Sequence, residues 1–318
     1  MNLQQTSSAK RGFTLAELVV AMAITAIIVT VLVTVTSVAL DTWNRSRSEL
    51  RAARSAKTMV DFMARDFESL VIRKGNSYEW LSAVADSNVA NIGGNKTNTN
   101  FLTSTNASKL IFFTSAKDRY DGKLGTSSDK GGEVSCVGYQ LNYRDPITAG
   151  AVALKTFVFN RVLVDPDSTF KDLLGKPDLT TAFLTYSSLV SDSKNFVCEN
   201  VFQFSITFLV NVTTVAASGA TPATTVNVPV IIGPASGAMT ATSFKVNGTG
   251  IVSDITGGTV SNAQLAAGKI TGVSFSTTVI SDFGIEQSKQ RTFTAAQQAD
   301  FIAKNSYQYT KLVPLSPP

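Results

Sequence analysis

The sequence contains an uncharged run near its N-terminus, from Leu18 to Leu40. As an α-helix, these 23 residues are roughly 35 Å long, which is enough to cross a hydrocarbon core about 30 Å thick. A secretory signal peptide has an apolar core of only about 7–15 residues before its cleavage site. Ser37, Val38 and Ala39 have the composition of such a site, but the run before them is too long. The run therefore predicts a retained membrane-spanning helix.

Composition argues against several classes of function. The chain has no histidine, which removes His-dependent catalytic triads, histidine acid–base catalysis and zinc sites with a histidine ligand. The formal net charge is +5, but the basic residues are scattered and do not alternate with aromatics, so we expect no nucleic-acid partner. Asp165 and Asp167 could serve in hydrolysis, although Asp-Pro-Asp is more simply interpreted as a turn. We expect no catalytic activity and no cofactor.

A second helical pattern follows the uncharged run. Its apolar residues recur mainly at steps of three and four, which indicates an amphipathic helix. They are Trp43, Leu50, Ala53, Ala56, Val60, Met63, Phe67 and Leu70. Proline and glycine are absent from residues 13–74, so we expect one continuous helix from about Leu15 to Lys74, ended by Gly75.

Strand patterns and polar loops make up the rest of the chain, residues 75–318. The clearest strand is VFQFSITFLV at 201–210, where apolar and polar residues alternate as in a strand with one buried face. Further strands are predicted at 109–115, 133–143, 151–164 and 272–280. Residues 213–268, rich in Thr, Ala, Gly, Ser and Val, are predicted to be an insertion with short strands, and Ala295–Lys304 a helix capped by Thr294. A long helix before mostly antiparallel strands predicts an α+β fold.

The N-terminal residues resemble the signal of type IV pilin-like prepilins and type II secretion pseudopilins. The matching stretch is RGFTLAELVVAMAIT, in which a basic leader ends in Gly and is followed by Phe-Thr-Leu-x-Glu and an apolar helix. The resemblance implies that a prepilin peptidase removes residues 1–12 by cutting between Gly12 and Phe13, and methylates the Phe13 amine. It also implies a pilin-like fold, in which a transmembrane or filament-core helix at 13–42 and an amphipathic extension at 43–74 precede a β-rich domain.

Glu17 lies near the start of the membrane segment, where an unpaired carboxylate costs a few kcal/mol. By the resemblance, Glu17 neutralises the Phe13 amine of a neighbouring subunit and sets the axial register of a filament. The alternative is that Glu17 lies at the wet interface and interacts favourably with the helix macrodipole.

Charge distribution and the prepilin signal disagree about topology. Arg45, Arg47, Arg51 and Arg54 follow the uncharged run, whereas the leader has only two basic residues, and the positive-inside rule alone would put the large domain in the cytoplasm. The prepilin signal implies the reverse, because the peptidase site faces the cytoplasm. We therefore expect a single-pass protein of the bacterial inner membrane with a cytoplasmic leader and a periplasmic domain. Arg47, Arg51 and Arg54 share one face of the helix, which is either solvated or in contact with lipid headgroups or a neighbouring subunit.

Later segments resemble one minor member of the family. MVDFMARDFESL, FQFSITF and ITGVSFSTTVIS are similar to the post-membrane helix and late strands of the minor pseudopilin J of type II secretion, and prepilin-like proteins of Verrucomicrobia share the layout. The resemblance implies a non-catalytic subunit near the tip of a type II secretion or type IV pilus-like filament, with other pilin or pseudopilin subunits and inner-membrane lipid as partners. The alternative is a membrane-anchored periplasmic binding or adhesion module, with residues 213–268 as its recognition surface.

Two further features leave alternatives open. Cys136 and Cys198 would lie outside the inner membrane, where disulfides persist, so they form either a bridge or two buried thiols. A bridge requires Cα atoms within about 7 Å of each other. The stretch DRYDGKLGTSSDKGGE at 118–133 offers oxygen ligands suited to calcium, but it lacks EF-hand spacing, which favours a surface turn without a metal.

Overall fold

The protein has one long N-terminal helix and a β-sheet domain. The computed structural model describes residues 14–86, 104, 107–115, 132–146, 156–215, 223–233, 239–256, 258, 260–288, 291 and 293–315. Its contacts divide the chain into two compact units, Met1–Arg47 and Ser48–Pro318. The long helix, α1, runs from Leu15 to Glu68 and contributes residues to both units.

The secondary structure elements have the following bounds. The helices are α1 (Leu15–Glu68), α2 (Pro166–Ser168), α3 (Leu179–Phe183), α4 (Asn262–Ala266), α5 (Asp282–Ser288) and α6 (Ala295–Asn305). A π-helical turn lies at Thr169–Leu173, and 3-10 turns lie at Leu184–Ser191 and Ser193–Asn195. The strands are β1 (Glu79–Asp86), β2 (Ala107–Thr114), β3 (Ser135–Arg144), β4 (Thr156–Val164), β5 (Phe196–Glu199), β6 (Val201–Val215), β7 (Thr224–Ile232), β8 (Thr240–Ala241), β9 (Ser243–Asn247), β10 (Gly250–Ser253), β11 (Lys269–Ile280) and β12 (Ser306–Pro314).

α1 ends at Glu68 rather than near Lys74, where the sequence pattern predicts its end. The chain joins the sheet directly after the helix, because Leu70 forms an isolated antiparallel bridge with Thr114 at the end of β2. A backbone group that is engaged by the sheet is no longer available for an i to i−4 helical bond. Gly75 adopts a φ of 82° in the loop between α1 and β1, the left-handed region that favours glycine.

The twelve strands of the described residues form one branched sheet. Its first arm has the order β10-β9-β1-β2-β3-β4-β5, and its second arm has the order β8-β7-β6-β11-β12. The arms meet where Ala107 of β2 pairs in parallel with Phe204 of β6. The short β7–β8 pair is also parallel, and the other described strand pairs are antiparallel. The predicted α+β fold, a long helix with a mostly antiparallel sheet, is confirmed.

The second half of α1 packs on both arms of the sheet. Its buried residues are Ala52, Ala56, Met59, Val60, Met63, Ala64, Asp66 and Phe67. Phe67 meets Phe112 of β2 and Phe275 of β11 edge to face, with ring centroids 5.2 and 5.5 Å apart. Each such pair contributes about 0.5–1.5 kcal/mol beyond area burial. One side chain of α1 therefore links the two arms of the sheet.

A buried ion pair lies next to Phe67. The Arg161 guanidinium on β4 donates to both oxygens of Asp66, at 2.7 and 3.0 Å, and the Tyr139 hydroxyl on β3 donates to Asp66 at 2.6 Å. Arg161 also lies 4.7 Å from the centre of the Phe62 ring, a cation–π contact. Burial, assisted by the Asp66 carboxylate, raises the pKa of Tyr139 well above its usual range. The cluster fixes the rotation of α1 over β3 and β4.

Most of the predicted elements correspond to observed ones. β2, β3, β4, β6 and β11 confirm the predicted strands, although residues 151–155 of one prediction lie outside the described residues. Along β6 the even positions from Phe202 to Val212 are buried, as the alternation predicts. The predicted C-terminal helix is α6, in which Thr294 and Gln297 form a reciprocal capping box.

The described part of residues 213–268 contains strands, as predicted, and these strands belong to the sheet. β7 pairs with β6 in the second arm, and β9 lies between β1 and β10 in the first. Phe208 of β6 stacks on Phe244 of β9 with centroids 4.2 Å apart, so this segment also connects the two arms. Its small apolar residues fill the core; Val228, Val230, Ile232, Val246 and Ile251 are buried.

Cys136 and Cys198 are free and buried thiols. Cys136 on β3 pairs with Val164 of β4, and Cys198 on β5 pairs with Phe159 of β4. Those two positions on β4 are about 17 Å apart along the strand, well beyond the Cα separation that a bridge requires. Burial raises the pKa of both thiols, and that of Cys198, where Glu199 adds to the effect, rises to about 12.

Breaking the buried ion pair is expected to destabilise the fold strongly. Arg161→Met leaves the Asp66 carboxylate buried without its cation, and should lower the free energy of unfolding by about 3–5 kcal/mol. The measurement is urea unfolding of the full chain in detergent, followed by near-ultraviolet circular dichroism. Lys304→Met is the matched control, because its partner Asp300 and Lys304 itself are both mostly exposed, and it should cost less than about 0.5 kcal/mol. Equal losses in the two variants would contradict the role given to the cluster.

The two thiols are expected to resist alkylation in the folded protein. At pH 8 both remain protonated because their pKa values are raised, so iodoacetamide should label neither until urea unfolds the chain. The same raised pKa values predict that stability is fully present below about pH 8.5, the thiol's ordinary pKa, and falls as the pH rises toward 12. Mass spectrometry of labelled protein and unfolding curves across that pH range test both statements. Rapid labelling of native protein at pH 8 would refute them.

Candidate functional site

The first turn of α1 forms a capping box. Thr14 precedes α1, and Glu17 lies in its first turn. The backbone N–H and the hydroxyl of Thr14 both donate to Glu17 Oε2 at 2.9 Å, and the Glu17 N–H donates to Thr14 Oγ1 at 3.3 Å. This reciprocal arrangement satisfies donors that otherwise lack partners at a helix N-terminus. Glu17 Oε1 accepts no hydrogen bond within the described part of the chain.

Threonine hydroxyls in the apolar part of α1 are bonded within the helix itself. Each donates to the carbonyl four residues earlier, at 2.8 or 2.9 Å. They are Thr25, Thr30, Thr34, Thr36 and Thr42. In an apolar medium an unpaired hydroxyl is costly, and this back-bonding removes that cost.

The apolar side chains of this part of α1 are left exposed by the described residues of the unit Met1–Arg47. Every described residue from Leu18 to Leu40 is exposed, and Met22 and Leu32 are 66% and 65% exposed. Among the described residues, α1 is the helix that is long and apolar enough to cross a membrane. Because contiguous apolar surface of this size is unfavourable in water, the segment requires lipid or other helices around it.

The predicted cleavage site, Gly12 and Phe13, lies outside the described residues, which begin at Thr14. The structure therefore brings Glu17 together with Thr14, the residue that follows that site in the sequence. The position of Glu17 in the first turn agrees with a favourable interaction between its carboxylate and the helix macrodipole. Its capping of Thr14 is an additional role that the sequence interpretation missed, although Thr three residues before Glu is a recognised start signal.

One arginine of the predicted basic face binds the sheet domain. Arg51 contacts Glu199 of β5 at 2.8 Å and Asp282 of α5 at 3.3 Å. Asp282 is also held by the side-chain amide of Asn200 at 2.8 Å. Arg51 is 65% exposed, so solvent screens these pairs and each contributes little to stability. Arg51 therefore connects α1 to the sheet domain.

The acidic candidates have structural roles or lie outside the described residues. The Asp165 carboxylate accepts the Ser168 N–H at 3.0 Å as the N-cap of α2, in agreement with the turn interpretation of Asp-Pro-Asp. Within the described ranges, His, Cys, Asp and Glu do not form a group of three or more that could hold a metal ion. Most of the predicted loop at 118–133 lies outside those ranges.

Comparison with known proteins identifies the N-terminal segment. Residues 7–33 match the family model of the prokaryotic N-terminal methylation motif. No curated protein matches the chain. Among solved structures, a type IV-like pilin from Thermus thermophilus is similar over 83% of this chain and 96% of its own, with 9% identity and a TM-score of 0.32. The motif match supports the resemblance of the N-terminal segment to prepilin signals, and the apolar helix that follows fits membrane anchoring by one helix.

Loss of the capping hydroxyl is expected to loosen the start of α1. Thr14→Val keeps the shape of the side chain but removes the acceptor of the Glu17 N–H, and a lost cap costs about 0.5–2 kcal/mol. Amide exchange in the first turn should therefore become roughly 2- to 30-fold faster, as measured by hydrogen–deuterium exchange in detergent micelles. Thr25→Val, which removes a hydroxyl bonded within the helix, is the control and should leave the first turn unchanged. Equal exchange in wild type and Thr14→Val would contradict the capping role.

Proposed function

We propose that this chain is a non-catalytic minor pilin or pseudopilin subunit. In this proposal a prepilin peptidase processes it, and it assembles into a type II secretion or type IV pilus-like filament, near the tip. The observation that carries the proposal is the methylation motif over residues 7–33, which extends into the apolar part of α1. The finer assignment to a minor pseudopilin near the tip rests on the resemblance of later segments to the pseudopilin J.

Processing would create a positively charged amine with which Glu17 can pair. A cut between Gly12 and Phe13 leaves an amine on Phe13, directly before the cap residue Thr14. The carboxylate of Glu17 uses Oε2 for its own helix, while Oε1 stays available for a donor from another subunit. A charge-assisted hydrogen bond from a neighbour's amine would offset the cost of placing this carboxylate in an apolar environment.

Assembly would then transfer the apolar part of α1 from lipid into a bundle of similar helices. The exposed residues from Leu18 to Leu40 surround the helix on all sides, so the bundle has to cover every face. Pairing between Glu17 and a neighbouring Phe13 amine would supply the axial register that non-directional apolar contacts lack. The sheet domain, in the unit Ser48–Pro318, would be carried on the periplasmic side, with the leader in the cytoplasm.

The intact mass of the full chain, with and without a co-expressed prepilin peptidase, tests the proposal. We expect the peptidase to remove Met1–Gly12 and to add one methyl group to the Phe13 amine, as the resemblance of RGFTLAEL to prepilin signals implies. The match of residues 7–33 to the methylation motif supports this expectation. Electrospray mass spectrometry of membrane-extracted protein measures both changes. An uncut chain, or a cut after Ala39, would contradict the proposal and favour the alternative of an anchored or secreted binding module.

A variant of Glu17 separates processing from assembly. Glu17→Gln keeps the size of the side chain and its ability to bond Thr14, but removes the charge that pairs with an amine. We expect normal cleavage and loss of the variant from the sheared filament fraction of cells that express the chain's own assembly machinery. Thr14→Val, which keeps the charge, should be retained in that fraction. Full incorporation of Glu17→Gln would show that charge pairing is not the register device.

A further inference from the structure

A cleft lies on the sheet domain beyond the C-terminal end of α1. Its volume is about 290 Å³, and it is formed by the loop after α1, the β9–β10 hairpin and the α4–β11 connection. The cleft belongs wholly to the unit Ser48–Pro318.

Three cations line the cleft, and its described lining contains no acidic residue. The cations are Arg73, Lys74 and Lys269. Elsewhere in the same unit, Lys245 and Lys311 pair with carboxylates. No ion pair or hydrogen bond of the Arg73, Lys74 or Lys269 side chain occurs within the described ranges. Three like charges around one concave surface repel each other, and an anion bound there relieves this repulsion.

Tight backbone packing forms the cleft in advance of any ligand. The side-chain oxygen of Asn247 accepts the N–H groups of Thr249 and Gly250, which shapes the β9–β10 turn. The Gly75 N–H donates to the Gly248 carbonyl at 3.0 Å and joins the loop after α1 to this turn. A Cβ at Gly248 would lie 2.6 Å from backbone atoms of Asn76, so the close approach requires glycine. A wall built from backbone contacts pre-organises a binding site.

Apolar groups cover the rest of the wall. Ile72, Ile270 and Leu315 line the cleft, together with the ring of Trp80. Trp80 is buried, and its indole N–H has no acceptor among the described residues. The surface thus combines positive charge with apolar contacts, the combination that an acidic peptide with apolar side chains would complement.

We propose that this cleft binds an acidic polypeptide segment of a partner protein. The segment's carboxylates would pair with the three cations, and an apolar side chain between them would occupy the wall beside Trp80. A concave wall that combines three cations with apolar side chains favours a polypeptide, which offers both carboxylates and apolar groups, over an anionic membrane surface. The proposal does not rest on filament assembly, since the cleft is complete within one sheet domain.

Binding can be measured on the full chain in neutral detergent micelles. The probe is a peptide that alternates leucine and glutamate, and its control is the same peptide with glutamine in place of glutamate. In a Trp43→Phe background, Trp80 is the remaining tryptophan, so a saturable change of its emission reports occupancy of the cleft. We expect saturation with the acidic peptide, none with the neutral one, and weakening at higher ionic strength.

Variants that remove charge inside or outside the cleft show where the acidic peptide binds. The triple variant Arg73→Gln, Lys74→Gln and Lys269→Gln should weaken peptide binding about tenfold or more. The matched variant Lys171→Gln, Lys176→Gln and Lys194→Gln removes the same charge from exposed positions outside the lining, and should leave the affinity unchanged. Equal weakening in both variants would overturn the proposal, as would no binding of the acidic peptide. Binding of phosphatidylglycerol vesicles without binding of the peptide would overturn it in favour of a lipid surface.

Discussion

Aromatic contacts join the two arms of the sheet, which share one strand pairing within the described residues, and the contact of Phe67 with Phe112 and Phe275 is the one that α1 supplies. Ala107 and Phe204 are the paired positions, and a single parallel pairing is too little to align twelve strands. Phe67 adds a side-chain contact to each arm from the helix side. The branch is therefore stabilised from above by α1, so the helix is part of the core of the domain and not an accessory to it.

The same helix has two parts with different surroundings. From Ala52 onward, small residues and methionines allow α1 to approach the sheet closely, and its buried face is continuous. From Leu18 to Leu40, by contrast, the described residues of its own unit leave it exposed. Its apolar side chains and length fit membrane anchoring by one helix. The prokaryotic methylation motif overlaps the start of this part.

Local patterns were sufficient to predict much of this architecture. The long helix follows from an uncharged run and a stripe at steps of three and four, and β6 follows from strict alternation. The end of α1 could not be predicted, because it depends on the bridge between Leu70 and Thr114, which are distant in the sequence. The pairing of β9 with β1 could not be predicted for the same reason, because the two strands are distant in the sequence.

The candidate site also has features that the local sequence predicts and features that depend on distant contacts. Glu17 stands out in the sequence because a carboxylate beside an apolar run is energetically unfavourable, and its spacing from Thr14 is a local signal of the capping box. Whether Cys136 and Cys198 bridge could not be read from the sequence, because the answer depends on the register of β3 and β5 against β4. The cleft with Arg73, Lys74 and Lys269 could not be predicted from the sequence either, because three separate segments converge to form it.

The back-bonded threonines of α1 have a consequence for how neighbouring helices recognise each other. Since the hydroxyl protons of Thr25, Thr30 and Thr34 are already donated within the helix, they offer no directional donor to a neighbour. A helix that packs against these positions meets acceptor oxygens and the shape of the side chains, but no hydroxyl proton that is still available. A hydrogen bond donated to a neighbour therefore has to come from residues other than these three threonines.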